Sequence, residues 1–144
     1  MTSDELYEKG LSLLRENNTL SALASFEKAY ALKKTPVIMS FLGVCISQER
    51  GQITEAISLC ENAISQEPDN NLLYLNLGRV FLKAGRRSEA LAILRKGLSY
   101  GDSLEIRELL EKLGRRRNPL FPFLDRKNIL NKLIGQLLER IGIK

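Results

Sequence analysis

Glu105, Glu108 and Glu111 recur three residues apart, a spacing that sets carboxylates side by side on a helix, where two could share acid/base work. Their neighbours argue for a duller role. Arg107 and Lys112 interleave with them, and mixed charge at helical spacing describes a solvated face. Cys45 and Cys60 are the only thiols, and both lie inside apolar helical patterns. They read as buried free cysteines rather than as a disulfide or a metal pair. The chain has no histidine. That removes imidazole base catalysis, histidine-assisted nucleophiles and imidazole-ligated metals. Neither a phosphate loop nor a glycine fingerprint after a strand occurs. No cofactor and no enzyme activity are expected.

The remaining chemistry is cationic and sits at one end. Residues 115–144 hold eight Lys/Arg, beginning with Arg115, Arg116 and Arg117, against Asp125 and Glu139, a balance of +6. Since the whole chain carries +5, residues 1–114 carry −1, so the basic character belongs to the tail. With 44% apolar and 27% charged residues the composition is that of a soluble globular protein. No apolar run reaches the roughly 18 residues of a membrane span. The opening MTSDELYEKG lacks the basic-then-apolar layout of a secretory signal. A cytoplasmic location is the expectation.

The elements that carry these residues repeat. LYEKGLSLL from Leu6, MSFLGVCIS from Met39 and YLNLGRVFL from Tyr74 align, with glycines at 10, 43 and 78, separated by 33 and 35 residues. Each segment precedes a second helical signature: Ala22, Phe26 and Ala29; Ala56, Cys60 and Ala63; Ala90, Leu94 and Gly97. Small residues let two helices approach, and a large residue beside them fills the gap. Turn signals fall between the paired helices at residues 16–19, 50–52 and 84–86. Pro36 and Pro68 are expected to close two units, because proline cannot continue a helix. A seventh helix is expected from Ser103 to Leu113, capped by Asp102 with Glu105. Ile106, Leu109, Leu110 and Leu113 make its one apolar stripe, which suits a cap over the last hairpin.

This pattern resembles the tetratricopeptide repeat family over about residues 3–102. In the third unit Tyr74, Leu77, Gly78, Phe81, Ala90 and Leu94 match the family's motif. The second unit fits through Met39, Leu42, Gly43, Ile46, Ala56, Cys60, Ala63 and Pro68, with one extra residue in its turn. In the first, Lys9 replaces the leucine expected before Gly10. The resemblance and the periodicity lead to one architecture: an all-α, right-handed superhelical solenoid of three antiparallel hairpins at about 3–35, 36–69 and 70–100. A capping helix at 103–113 completes a repeat domain of 1–114. A basic strap and an amphipathic C-terminal helix fill 115–144. One hairpin cannot bury both its faces, so stacking neighbours must build the core.

In that family the first helix of each hairpin lines the concave, ligand-binding surface. The resemblance therefore assigns the groove to Tyr7, Leu11, Leu14, Val37, Phe41, Val44, Leu72, Leu75, Asn76 and Arg79. Chaperone-binding members grip a terminal carboxylate with lysines, asparagines and arginine. The matching positions here are Tyr7, Leu11, Leu72 and Asn76, and Asn76 alone keeps that chemistry. An apolar groove with Asn76 and Arg79 as polar anchors suits an extended or helical peptide instead.

The tail carries a second apolar surface. Leu120, Phe121, Phe123 and Leu124, among Pro119 and Pro122, are too apolar for a free linker. Ile129, Leu130, Leu133, Ile134, Leu137, Leu138 and Ile141 then form one helical face opposite Arg126, Lys127, Lys132 and Arg140. Docking on the chain's own repeats through Phe121, Phe123 and residues 129–138 is the expectation. The competing readings are an anionic membrane surface and a homodimer joined through the tail. Nucleic acid fits poorly, since no base-stacking motif accompanies the arginines. The expected function is that of an adaptor for a protein or peptide partner.

Overall fold

In a computed structural model of the chain, residues 1–117 are described, with side chains described to residue 114. Seven helices follow one another among the described residues: α1 (Ser3–Arg15), α2 (Thr19–Leu32), α3 (Pro36–Glu49), α4 (Ile53–Gln66), α5 (Asn71–Lys83), α6 (Arg87–Leu98) and α7 (Leu104–Arg117). No strand occurs among the described residues. Met1–Ile106 form one compact unit, and a second begins at Arg107.

Local sequence starts the helices where hydrogen-bonding side chains can satisfy free N–H groups. Thr2 and Glu5 make a reciprocal capping box on α1, while Asn18, Thr35 and Asn70 cap α2, α3 and α5. Such caps stabilise by about 1 kcal/mol each. Pro36 corrects an expectation. It opens the second hairpin at the first turn of α3, where a proline has no N–H to waste and its fixed φ suits a helix. Ser103, rather than Asp102, caps α7, its hydroxyl accepting from the Ile106 N–H at 3.2 Å. That helix also runs past Leu113 to Arg117, so the three arginines belong to it and not to a strap.

The hairpin turns show the repeat more cleanly than the glycines do. Asn17, Gly51 and Gly85 each take a left-handed backbone, with φ of 61°, 63° and 77°, at a constant spacing of 34 residues. Glycine, and asparagine next best, accept that conformation with little strain. The uneven glycine separations have a simple origin. α3 is 14 residues long where α1 and α5 are 13, so its interior glycine sits one residue further from its turn.

Packing within each hairpin depends on that interior glycine. An added Cβ would lie 2.6 Å from the Phe26 ring at Gly10, 2.8 Å from Cys60 Sγ at Gly43 and 2.6 Å from Leu94 Cδ2 at Gly78. Ala22, Ala56 and Ala90, one turn earlier on each second helix, have no exposed surface. Adjacent hairpins join because α3 also packs on α2 and α5, and α4 on α5. One continuous core results, running from Leu23 and Phe26 through Phe41, Val44 and Cys45 to Leu77, Val80 and Phe81. The middle hairpin is enclosed most: every residue from Ile38 to Ser47 is buried, whereas α1 buries only Leu6 and Gly10.

Along α7, Ile106 and Leu113 are buried, Leu109 and Leu110 half-buried, and Glu105, Glu108, Glu111 and Lys112 exposed. The carboxylates thus lie on solvated turns. Within the first unit, Ile106 closes over Gly97, where a Cβ would meet its Cδ1 at 3.1 Å and Tyr74 Cβ at 2.8 Å.

Candidate functional site: a groove across the first helices

A groove with a cavity volume of about 560 Å³ crosses α1, α3 and α5. Each helix offers it one stripe at helical spacing. α1 contributes Tyr7, Leu11, Leu14 and Arg15; α3 contributes Phe41, Val44 and Gln48; α5 contributes Leu72 and Arg79. Asn17 from the first turn, Thr19 at the start of α2 and Glu105 from α7 complete the lining. The floor is apolar and rigid. Phe41 and Val44 are almost wholly buried, and the Phe41 ring stacks on Phe26 at 5.3 Å and meets the Tyr7 ring edge-on at 5.8 Å. Phe26 in turn fills the space above Gly10, so the repeat glycine indirectly sets the height of the floor.

Polar groups ring this floor. Thr19 Oγ1 donates to Gln48 Oε1 at 3.2 Å, and Arg15 is exposed beside them. On α5, Arg79 is held from beneath. Its Nη1 donates to Asn76 Oδ1 at 2.8 Å, Asn76 Nδ2 donates to Ser40 Oγ at 2.8 Å, and the Ser40 hydroxyl donates to the Val37 carbonyl at 2.9 Å. The order of donors is fixed, since a guanidinium can only donate and so must face the amide oxygen. Above, Arg79 Nη2 reaches Glu105 Oε2 at 3.5 Å. Burial lowers the Arg79 pKa from its ordinary value, with Glu105 opposing that shift. The group still stays charged at any physiological pH. Burial, aided by Glu8, raises the Tyr7 hydroxyl.

Of the ten residues assigned to this surface, seven line it: Tyr7, Leu11, Leu14, Phe41, Val44, Leu72 and Arg79. The other three do not. Val37 packs beside the core, Leu75 is 2% exposed and Asn76 has no exposed surface. The reason is that α3 is flanked by α2, α4 and α5, and α5 by α3, α4 and α6, which leaves each one narrow stripe free. Asn76 faces Ser40 across the α3–α5 joint, so it supports Arg79 from within the core. Arg15, Asn17, Thr19, Gln48 and Glu105 were not assigned. A sequence signal existed for two of them: Arg15 follows Leu11, and Gln48 follows Val44, by four residues on the same face. The tail residues Phe121, Phe123, Ile129, Leu130, Leu133, Ile134, Leu137 and Leu138 lie outside the described residues.

Other chemistry is sparse among the described residues. Cys45 and Cys60 are free and buried, and burial pushes both thiols up to about 12. Among the described residues no group of three or more Cys, Asp or Glu side chains could hold a metal ion, and no helix is long and apolar enough to cross a membrane.

Residues 48–113 match the family model for the tetratricopeptide repeat. Over that stretch the sequence is that of tetratricopeptide repeats. No curated protein matches this sequence, but solved structures do. The tetratricopeptide domain of Sgt2 from Aspergillus fumigatus is similar with a TM-score of 0.64 at 21% identity, over 81% of this chain and 79% of that one. The first such domain of Spaghetti (RPAP3), bound to the HSP90 peptide SRMEEVD, gives 0.63 at 17% identity, over 80% and 94%. YrrB, a tetratricopeptide protein with an unusual peptide-binding site, gives 0.61 at 22% identity, over 78% of this chain and 58% of that one. At these identities the likeness carries the fold. The three hairpins of this chain form a solenoid of that type.

Proposed function

We propose that this tetratricopeptide protein is a non-enzymatic cytoplasmic adaptor that holds a segment of a protein partner in the groove across α1, α3 and α5. One observation carries the reading: three successive hairpins contribute to a single apolar floor, and the polar side chains stand around it. Ligand grooves of this size are mostly apolar with a few polar groups that orient the guest. The Spaghetti domain and YrrB are relatives in fold that bind peptides, which favours the same use here. The test is affinity capture with full-length protein, comparing wild type with Leu14→Glu and with the exposed variant Arg15→Glu. A partner that contacts the groove should be lost by the first and weakened by the second, with both variants melting like folded protein. Equal capture by all three would remove the groove from the function.

The tail belongs to the same proposal: residues 118–144 dock on the repeats through Phe121, Phe123 and the apolar face of 129–138. Length permits it, since seven extended residues span about 23 Å and a helix of about 16 residues adds about 24 Å. Burying seven aliphatic side chains, at about 1.5–3 kcal/mol each, favours a dry surface over water. Slow amide exchange across 129–141 in monomeric protein without lipid is the expected result. Random-coil exchange that slows only with anionic vesicles would replace docking by the membrane reading, and slowing with protein concentration would replace it by a dimer.

A further inference from the structure

We infer that Arg79 is the specificity residue of the groove, selecting a partner segment that carries a side-chain carboxylate among apolar residues, and that Glu105 holds its place when the groove is empty. This deepens the groove reading and rests on it.

The geometry of Arg79 is the starting point. A guanidinium flexing on a long side chain loses much of its binding energy to ordering, and a fixed one does not. Arg79 is fixed by a one-way chain of hydrogen bonds through Asn76 and Ser40, both fully buried at the α3–α5 joint, to the Val37 carbonyl. Its contacts to Asn76 and Glu105 use Nη1 and Nη2, while a guanidinium has five N–H donors in a rigid fork. Its carboxylate partner is loose. Glu105 is 67% exposed and 3.5 Å away, outside the roughly 2.7–2.9 Å of a well-formed charge-assisted bond. An exposed pair of that kind contributes little. A ligand carboxylate arriving over the apolar floor is screened less and can take the fork side-on, so it displaces Glu105 at small cost.

Charge around the groove points the same way. The lining holds two guanidinium groups, Arg15 and Arg79, against the single carboxylate of Glu105. An acidic guest balances that excess and a basic guest adds to it. A chain-terminal carboxylate is the wrong geometry for this site. Gripping it takes several converging donors, whereas Tyr7, Leu11 and Leu72 surround the floor and Asn76 is already committed beneath it.

A random 12-residue peptide library displayed on phage, selected on full-length protein, tests this. Selected peptides are synthesised with amidated C-termini and measured against wild type, Leu14→Glu, Arg79→Gln and Glu105→Gln. Expected winners combine apolar residues with one Asp or Glu at a fixed place. Replacing that acid by its amide should weaken binding to wild type about tenfold or more, equivalent to about 1.4 kcal/mol, and change nothing on Arg79→Gln. Glu105→Gln should tighten the acidic peptides by up to about fivefold, the worth of an exposed ion pair. Winners that need Leu14 yet lose nothing when their acid is neutralised overturn this inference and leave the groove reading intact. Winners indifferent to Leu14→Glu, or no winners at all, overturn the groove reading and this inference with it.

Discussion

Gly43→Ala sets two physical effects against each other, and the structure decides between them. By helix propensity alone, alanine in place of an interior glycine stabilises by about 1 kcal/mol. Packing opposes it. The new Cβ would lie 2.8 Å from Cys60 Sγ and 2.9 Å from the Ala56 carbonyl oxygen, where comfortable carbon contacts need about 3.5–4.0 Å. Neither neighbour can rotate away. The oxygen is backbone, and Cys60 has no exposed surface and bonds the Ser40 carbonyl at 3.6 Å. So α4 must move away from α3 in the most enclosed hairpin of the array. Overpacking of this kind costs about 1–3 kcal/mol, and immovable neighbours place it at the upper end. Set against the propensity gain, the net loss is about 2 kcal/mol. For a domain of about 100 residues each kcal/mol moves Tm by about 4–8 °C, so the melting point should fall by roughly 8–16 °C. Thermal and urea melts followed by far-UV circular dichroism measure it. A Tm equal to or above wild type would refute the close approach of α3 and α4, and with it the shared register of the three units.

Gly78→Leu should be worse, since its Cβ alone meets Leu94 at 2.6 Å; failure to melt cooperatively is the expected signature. Asn76→Ala should lower stability by about 1–3 kcal/mol in urea titrations, because it strips partners from buried polar groups; an unchanged midpoint would return Asn76 to the groove surface. Cys45 and Cys60 should resist alkylation of native protein at neutral pH and react at once after unfolding. Their thiols also set an alkaline limit: folding keeps them neutral, so stability is intact below the ordinary value of 9.0 and declines as pH rises from there toward about 12, where the unfolded chain alone gains by ionising. A flat stability profile from pH 8 to 11 would contradict that burial. Finally, a peptide ending in acidic residues should bind no better with a free C-terminal carboxylate than when amidated, by calorimetry; a tenfold loss on amidation would reveal a terminal-carboxylate site.

The sequence by itself determined the helices, their pairing and their period. Gly10, Gly43 and Gly78, each followed by a second helix with small residues at matching positions, name the sites where two helices must touch, because small residues allow the approach. Turn residues at 17, 51 and 85 mark the reversals for the same local reason: they tolerate a left-handed backbone. The lining of α1 was legible too, since a helix buried on one side shows its period openly. Local chemistry misled only at ends, where Pro36 reads equally well as a stop or a start and two adjacent residues, Asp102 and Ser103, can each cap.

Tertiary structure alone decided which face of α3 and α5 meets the groove. Their sequences are apolar on several sides, so the period that marks an amphipathic helix is lost, and burial by three neighbours selects the stripe. Asn76 shows why this cannot be read along the chain. Its role depends on Ser40, 36 residues away, and on Arg79 needing an oxygen beneath it. Glu105 joins Arg79 from 26 residues further on, for the same reason. Contacts within a turn of helix are written in the spacing of residues; contacts between helices exist only once the core has fixed how those helices stack.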